Sequence, residues 1–261
     1  MAIRKSVLQF EGKLEGFNSY LPKGRDEADG YIIRKNGGPS RKQIEKLASC
    51  ERVRLNNKDF GTCSSAAKAI RNAISPLTHL ADKNLAAQFT ALCKHLLSQD
   101  KVGDLGSRTV PFGAFGNQMS GFNLNRGHLF DSVVRHPLTV VLHRDTASAG
   151  ITVPVLQPGV SLVLPWQQPL YRLIFTLGIV TDISQKVFWA KWPQPATFTS
   201  PWNVVQQKVE ESTVTLQLDN MKVGKENCLI VAAGIEMGTI VTDAIVTTVK
   251  HTGCGKILLA G

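Results

Sequence analysis

The chain has 261 residues, 43% hydrophobic and 19% charged, with 30 Lys and Arg against 20 Asp and Glu, a formal net charge of +10. This is enough chain for one large or two modest domains with buried cores, and it excludes a peptide, a collagen-like polymer and a disordered tail. The longest apolar stretch, 228–246, is broken by Glu236 and Asp243, so no run reaches the roughly 18 residues of a membrane-spanning helix.

Gln9, Glu11 and Lys13 interrupt the start before a secretory signal could form, which predicts synthesis and folding in the cytoplasm. The basic excess lies early: residues 1–60 carry 13 basic and 8 acidic side chains, 61–150 carry 9 and 5, and 151–261 carry 8 and 7. Such a surface attracts phosphate polymers, acidic proteins or anionic lipid without choosing among them.

In residues 1–39, Leu8 and Phe10 alternate with Gln9 and Glu11, and Gly12 and Gly16 punctuate a run to Phe17 and Tyr20. Pro22, Gly24 and Gly30 then bracket a polar turn before Tyr31-Ile32-Ile33. This reads as an extended β arm of three short strands with too few apolar residues for a core of its own. Phe10, Phe17, Tyr20 and Tyr31 are the expected anchors to a sheet elsewhere, in the same chain or in a neighbour. Arg34, Lys35, Arg41 and Lys42 surround the glycine-rich turn that ends the arm, at the mouth of a helix where free N–H groups also favour anions. Nucleic-acid phosphate, an acidic patch on another subunit and plain solvation remain alternatives for this cluster. Only Tyr31 and Phe60 flank it, which is thin for base stacking.

Ser40 and Gln43 make an S-x-x-Q capping box, with Ile44, Leu47 and Ala48 following at helical spacing. Ala66, Ala67, Ile70 and Ile74 mark a second stripe ending near Pro76, and Leu85, Phe89, Leu92 and Leu96 a third. A small helical bundle between about 40 and 100 is predicted. Residues 101–130 hold six glycines among Phe112, Phe115 and Phe122; so long a stretch without periodicity is a linker or a segment ordered by a partner. The helical region with its glycine-rich linker is therefore placed at 40–131.

From 132 to 261 the texture is β. Runs at 138–142, 151–155, 171–175, 214–218 and 229–231, with 246–249 and 257–259, are separated by Pro, Gly and Asn. They predict an antiparallel β-sandwich of about seven strands, immunoglobulin-like or similar, able to close a core alone. The fold class is thus α+β.

Catalytic patterns are not found. Cys50, Cys63, Cys93, Cys228 and Cys254 form no C-x-x-C pair and read as buried free thiols. The six histidines have no metal-ligand spacing, so no metal or cofactor is expected. There is no G-x-S-x-G elbow, and Gly253-Cys254-Gly255-Lys256 lacks the first glycine of a phosphate-binding loop and reads as a hairpin turn. Glu210 and Glu211 are adjacent and would point to opposite faces of a strand. Trp166, Trp189, Trp192 and Trp202 fall among five prolines, which places them on loops or an edge strand. Trp189, Trp192 and Trp202 are the candidate contact surface there, for a neighbour or, less expected, for carbohydrate.

Arg54-Leu55-Asn56-Asn57-Lys58-Asp59-Phe60-Gly61, the helix from Ala66 to Leu77, and Gly121-Phe122-Asn123-Leu124-Asn125 together resemble a family of uncharacterised Bacteroidota proteins. Phe10-Glu11-Gly12 and Gly37-Gly38 match its strand-rich start. The similarity covers about residues 7–130, and the β domain is more divergent. It implies a plan of β arm, helical hairpin and β domain, with no activity or ligand to carry over. The reading as a whole is a non-enzymatic structural or assembly protein that self-associates as a homo-oligomer, filament, ring or shell through its arm and β domain. A nucleic-acid-associated basic protein is the alternative, and a carbohydrate-binding module the second alternative.

Overall fold

Leu170–Thr181 is a run of apolar residues without polar alternation, the pattern of a strand covered on both faces. It forms the middle of the larger sheet in the computed structural model, which describes residues 11–22, 30–35, 37–185, 193–219, 221–242 and 245–261, the side chain of His251 excepted. In chain order the elements are β1 (Gly12–Leu14), β2 (Phe17–Tyr20), β3 (Ile32–Lys35), α1 (Arg41–Lys46), α2 (Glu51–Ala73), α3 (Leu85–Leu97), α4 (Phe112–Phe115) and α5 (Phe130–Val133). Then follow β4 (Thr139–His143), β5 (Ser148–Val153), β6 (Leu170–Thr181), β7 (Ala196–Thr199), β8 (Asn203–Val204), β9 (Ser212–Gln217), β10 (Asn227–Thr242) and β11 (Ile245–Ala260). Short 3-10 helices occupy Ala48–Cys50, Ser75–Leu80 and Gly116–Met119. The protein is α+β, and among the described residues no helix is long and apolar enough to cross a membrane.

The contacts divide the chain into two units, Met1–Arg54 and Leu55–Gly261. In the first, β1, β2 and β3 form an antiparallel meander. Glu15 and Gly16 turn the first hairpin with positive φ at both positions, the two-residue geometry that follows the twist of the flanking strands. Leu14 lies opposite Phe17, and Ser19 opposite both Gly12 and Ile33. With a side-chain period of 2, Leu14, Phe17 and Ile33 therefore share one face, while Tyr20, Ile32 and Arg34 share the other. The expected capping box is present: Ser40 Oγ accepts from Gln43 N–H, and Gln43 Oε1 accepts from Ser40 N–H. Arg54 closes the other end of α1 by donating to the carbonyls of Ile44 and Leu47, each at 2.8 Å.

In the second unit a five-stranded sheet runs β11-β10-β6-β7, with β8 also on β6, and a three-stranded sheet runs β4-β5-β9. Alternation along β6 and β10 sorts two cores. Ile174, Val180, Ile230 and Ala232 pack with Ala66, Ile70, Phe89 and Leu96 of α2 and α3. Tyr171, Leu173, Phe175, Leu229, Val231 and Ile235 pack with Ala149, Ile151, Val214 and Leu216 of the smaller sheet. The larger sheet is thus a shared layer, apolar on both sides.

The contacts place the division between Arg54 and Leu55. The helical stripes are buried as their spacing predicts, in a core shared with the larger sheet. The glycine-rich stretch is packed within its own unit, with Val110, Phe112, Met119 and Leu124 fully buried. Its glycines allow close approach: a Cβ at Gly113 would collide with the carbonyl of Lys225, and one at Gly116 with Cys228 Sγ. Gly253–Lys256 is not a hairpin turn but part of β11, facing Ile235 and Glu236. The runs 246–249 and 257–259 belong to this one strand, and β7 and β8 were not anticipated.

Candidate functional site

Two charged residues stand on the helix-facing side of the larger sheet, in register opposite one another: Arg172 on β6 and Glu236 on β10. Glu236 is 3% exposed, and burying a carboxylate is unfavourable unless partners satisfy it. Arg172 Nε donates to Glu236 Oε2 at 2.6 Å, and His79 Nε2, from the Ser75–Leu80 turn, lies 3.0 Å from Oε1. Trp202 lies flat against the arrangement, its ring 4.4 Å from the Arg172 guanidinium carbon. Burial pushes the Glu236 carboxyl up, but hydrogen bonds from His79, Arg172 and Thr248 outweigh it and hold the group at about 2. It is ionised at neutral pH and fixes the His79 ring.

Beside this cluster β11 departs from regular pairing. Gly253 is paired with Glu236 and Thr248 with Gly238, so residues 249–252 loop out opposite Met237. Such bulges re-aim side chains, and here Thr252 is brought to the wall of a cleft of about 490 Å3 with His79, Asp82, Lys83, Gln88 and Arg126.

The sequence-predicted residues fall elsewhere. Phe17 and Tyr20 lie on opposite faces of the meander, Phe17 exposed and Tyr20 beneath the Arg34 guanidinium at 5.3 Å. Tyr31 immediately precedes β3; Phe10 lies outside the described residues. Arg34 and Lys35 line a second cleft of about 700 Å3 together with Lys13, Gly37, Gly38 and Ser40. Arg41 and Lys42 do not line it, and Arg41 pairs with Glu45 at 2.9 Å. Trp189 and Trp192 are likewise outside the described residues, while one face of Trp202 is covered by Arg172. Trp166 meets the His128 ring edge-on at 4.9 Å.

Sequence reasoning passed over Glu236 as no more than an interruption of an apolar stretch. That interruption was the available signal, because an acid inside a run of buried β residues needs a cationic partner. All five cysteines are buried. Other carboxylates hold loops: buried Asp59 accepts from Gly106 N–H at 3.0 Å, and half-buried Asp182 from Gly113 N–H at 2.8 Å.

Beyond Gly238, β10 has left β6 behind and among the described residues pairs with β11 alone, as a two-stranded ribbon on which Ile240, Val241 and Ile245 are more than half exposed. Compared with protein-family models, curated proteins and solved structures, the chain matches none.

Proposed function

We propose that this chain is a non-enzymatic subunit of a homo-oligomeric assembly, joined through its N-terminal β meander and through the outer end of the β10–β11 ribbon. The single observation that carries the reading is the ribbon. A two-stranded hairpin is marginal by itself in water, and an uncovered strand edge pairs readily with another chain. This one carries Ile240, Val241 and Ile245 where a monomer would place charge. Leu14, Phe17 and Ile33, on one face of the meander, are also exposed, giving a second apolar β surface beside edges suited to strand addition. A further copy of the chain is the occupant, since it brings the same edges. The same reading treats the two sheets of the second unit as a sandwich, supported by the core that Ile151 and Val214 form with Phe175 and Val231.

Light scattering after size exclusion, with electron microscopy of the same fractions, tests it across concentration. Full-length protein is expected to self-associate; replacing Ile240, Val241 and Ile245 with Thr, or deleting residues 1–38, shifts it towards monomer. A parent protein that stays monomeric at every concentration overturns the reading.

The basic cleft supports a second reading, a nucleic-acid contact through Lys13, Arg34 and Lys35. Binding would then fall steeply with salt, because each neutralised phosphate releases counterions. Absence of binding at low salt removes this reading.

A further inference from the structure

The cleft beside Glu236 has no part in the assembly reading, and its chemistry is specific. Its volume of about 490 Å3 is that of a small-ligand site rather than of a groove for a polymer. Leu80 and Ala81 are its only strictly apolar side chains, so it is not built for a hydrophobic guest. Lys83, on the loop before α3, and Arg126, on the loop after Asn125, both line it. Neither is in an ion pair among the described residues. The one acid on the wall, Asp82, is already engaged, its Oδ2 accepting from Arg126 N–H at 2.9 Å. His79 stands on the same wall with Nε2 held by Glu236, which leaves Nδ1 as the nitrogen available to a ligand. Gln88 adds a carboxamide to the wall.

We propose that this cleft binds a small phosphomonoester bearing hydroxyl groups, a molecule of sugar-phosphate size. Lys83 and Arg126 take the phosphate, His79 Nδ1 accepts from its P–OH, and the Gln88 carboxamide bonds a ligand hydroxyl. Lys83 and Arg126 against the Asp82 carboxylate leave one surplus positive charge on the wall, which a phosphomonoester monoanion matches. With Nε2–H given to the ionised Glu236, the neutral ring presents Nδ1 as an acceptor, and the P–OH of the monoanion is the donor it needs and a carboxylate lacks. The bulge at 249–252 contributes Thr252 to the recess, and Glu236 is the positioning residue that keeps His79 from turning away.

The test is an NMR titration of the full chain with ribose 5-phosphate, ribose and inorganic phosphate. The proposal stands apart from self-association, so its failure leaves that reading untouched. Ribose 5-phosphate is expected to bind saturably with a Kd of about 1 mM or below, inorganic phosphate more weakly, and ribose not measurably. The double variant Lys83→Ala, Arg126→Ala should weaken ribose 5-phosphate at least about tenfold, as expected for two charge-assisted bonds. Both side chains are on the surface, and an unchanged thermal melt verifies that the variant is folded. Gln88→Ala should lower the affinity for ribose 5-phosphate and leave that for inorganic phosphate as it was. Absence of saturable binding by both phosphate probes, or equal binding by the double variant, overturns the site. Equal affinity for the two phosphates overturns the hydroxyl-bearing ligand.

Discussion

Arg172 and Glu236 face each other across β6 and β10, and the 2.6 Å bond between them joins two residues 64 positions apart in the chain. The carboxylate holds the sheet to the turn before α3 through His79 at the same time. Removing one partner of a buried pair leaves the other charge uncompensated, so Glu236→Gln should cost about 2–4 kcal/mol at neutral pH. The sign with pH follows from the depressed carboxyl. Its contribution is fully present above the ordinary glutamate value and is lost as pH falls from there through about 2. Urea unfolding of parent and variant at pH 7, 4.5 and 3 should show the gap between them narrowing with acid. A constant gap would mean that the charge is not what stabilises this point.

At Gly178 the end of α2 lies directly on β6, so that a Cβ would collide with the backbone of Ala73. Backbone cannot rotate aside as a side chain can, and Gly178→Ala should destabilise by about 1–3 kcal/mol. Gly150 on β5 has nothing within 4 Å of the same position, and Gly150→Ala should stay within about 0.5 kcal/mol. Chemical denaturation of both variants compares a helix-covered strand position with an open one.

The two-sided sheet predicts how fragments behave. Residues 132–261 alone would expose Ile174, Val180, Ile230, Ala232 and Ile257, which α2 and α3 cover in the whole chain. Such a fragment should aggregate or melt without cooperativity, whereas 55–261 should melt in one transition. Circular dichroism of both decides, and a sharp melt of 132–261 would show that the helices are dispensable.

Burial raises the thiols of Cys63 to about 11 and of Cys228 and Cys254 to about 12, and raises Cys93 still further. Since the thiolate is the reactive form, native protein at pH 8 should leave all four unmodified by a disulfide reagent over minutes. In guanidinium, five thiols should react at once. Rapid labelling of any of the four in the native state would mean local opening around it.

Much of the local structure was legible in the residues themselves. The Ser40–Gln43 capping box, the stripes Ala66-Ala67-Ile70 and Leu85-Phe89-Leu96, and the β-rich second half follow from periodicity and turn chemistry, which act within a few residues. The largely apolar stretch Leu173–Val180 even carried the information that its strand is covered twice. Tertiary structure alone decided what covers it, because an apolar stripe records that a face is buried and not what buries it. The candidate site shows the same limit more sharply. Arg172 and His79 carry no local signal and Glu236 only that of an acid in an apolar stretch, and they meet only because β6 and β10 pair in one register while a turn 157 residues before Glu236 packs above them. Strand register and layer packing are set by the sum of many long-range contacts, and no local pattern in the chain encodes them.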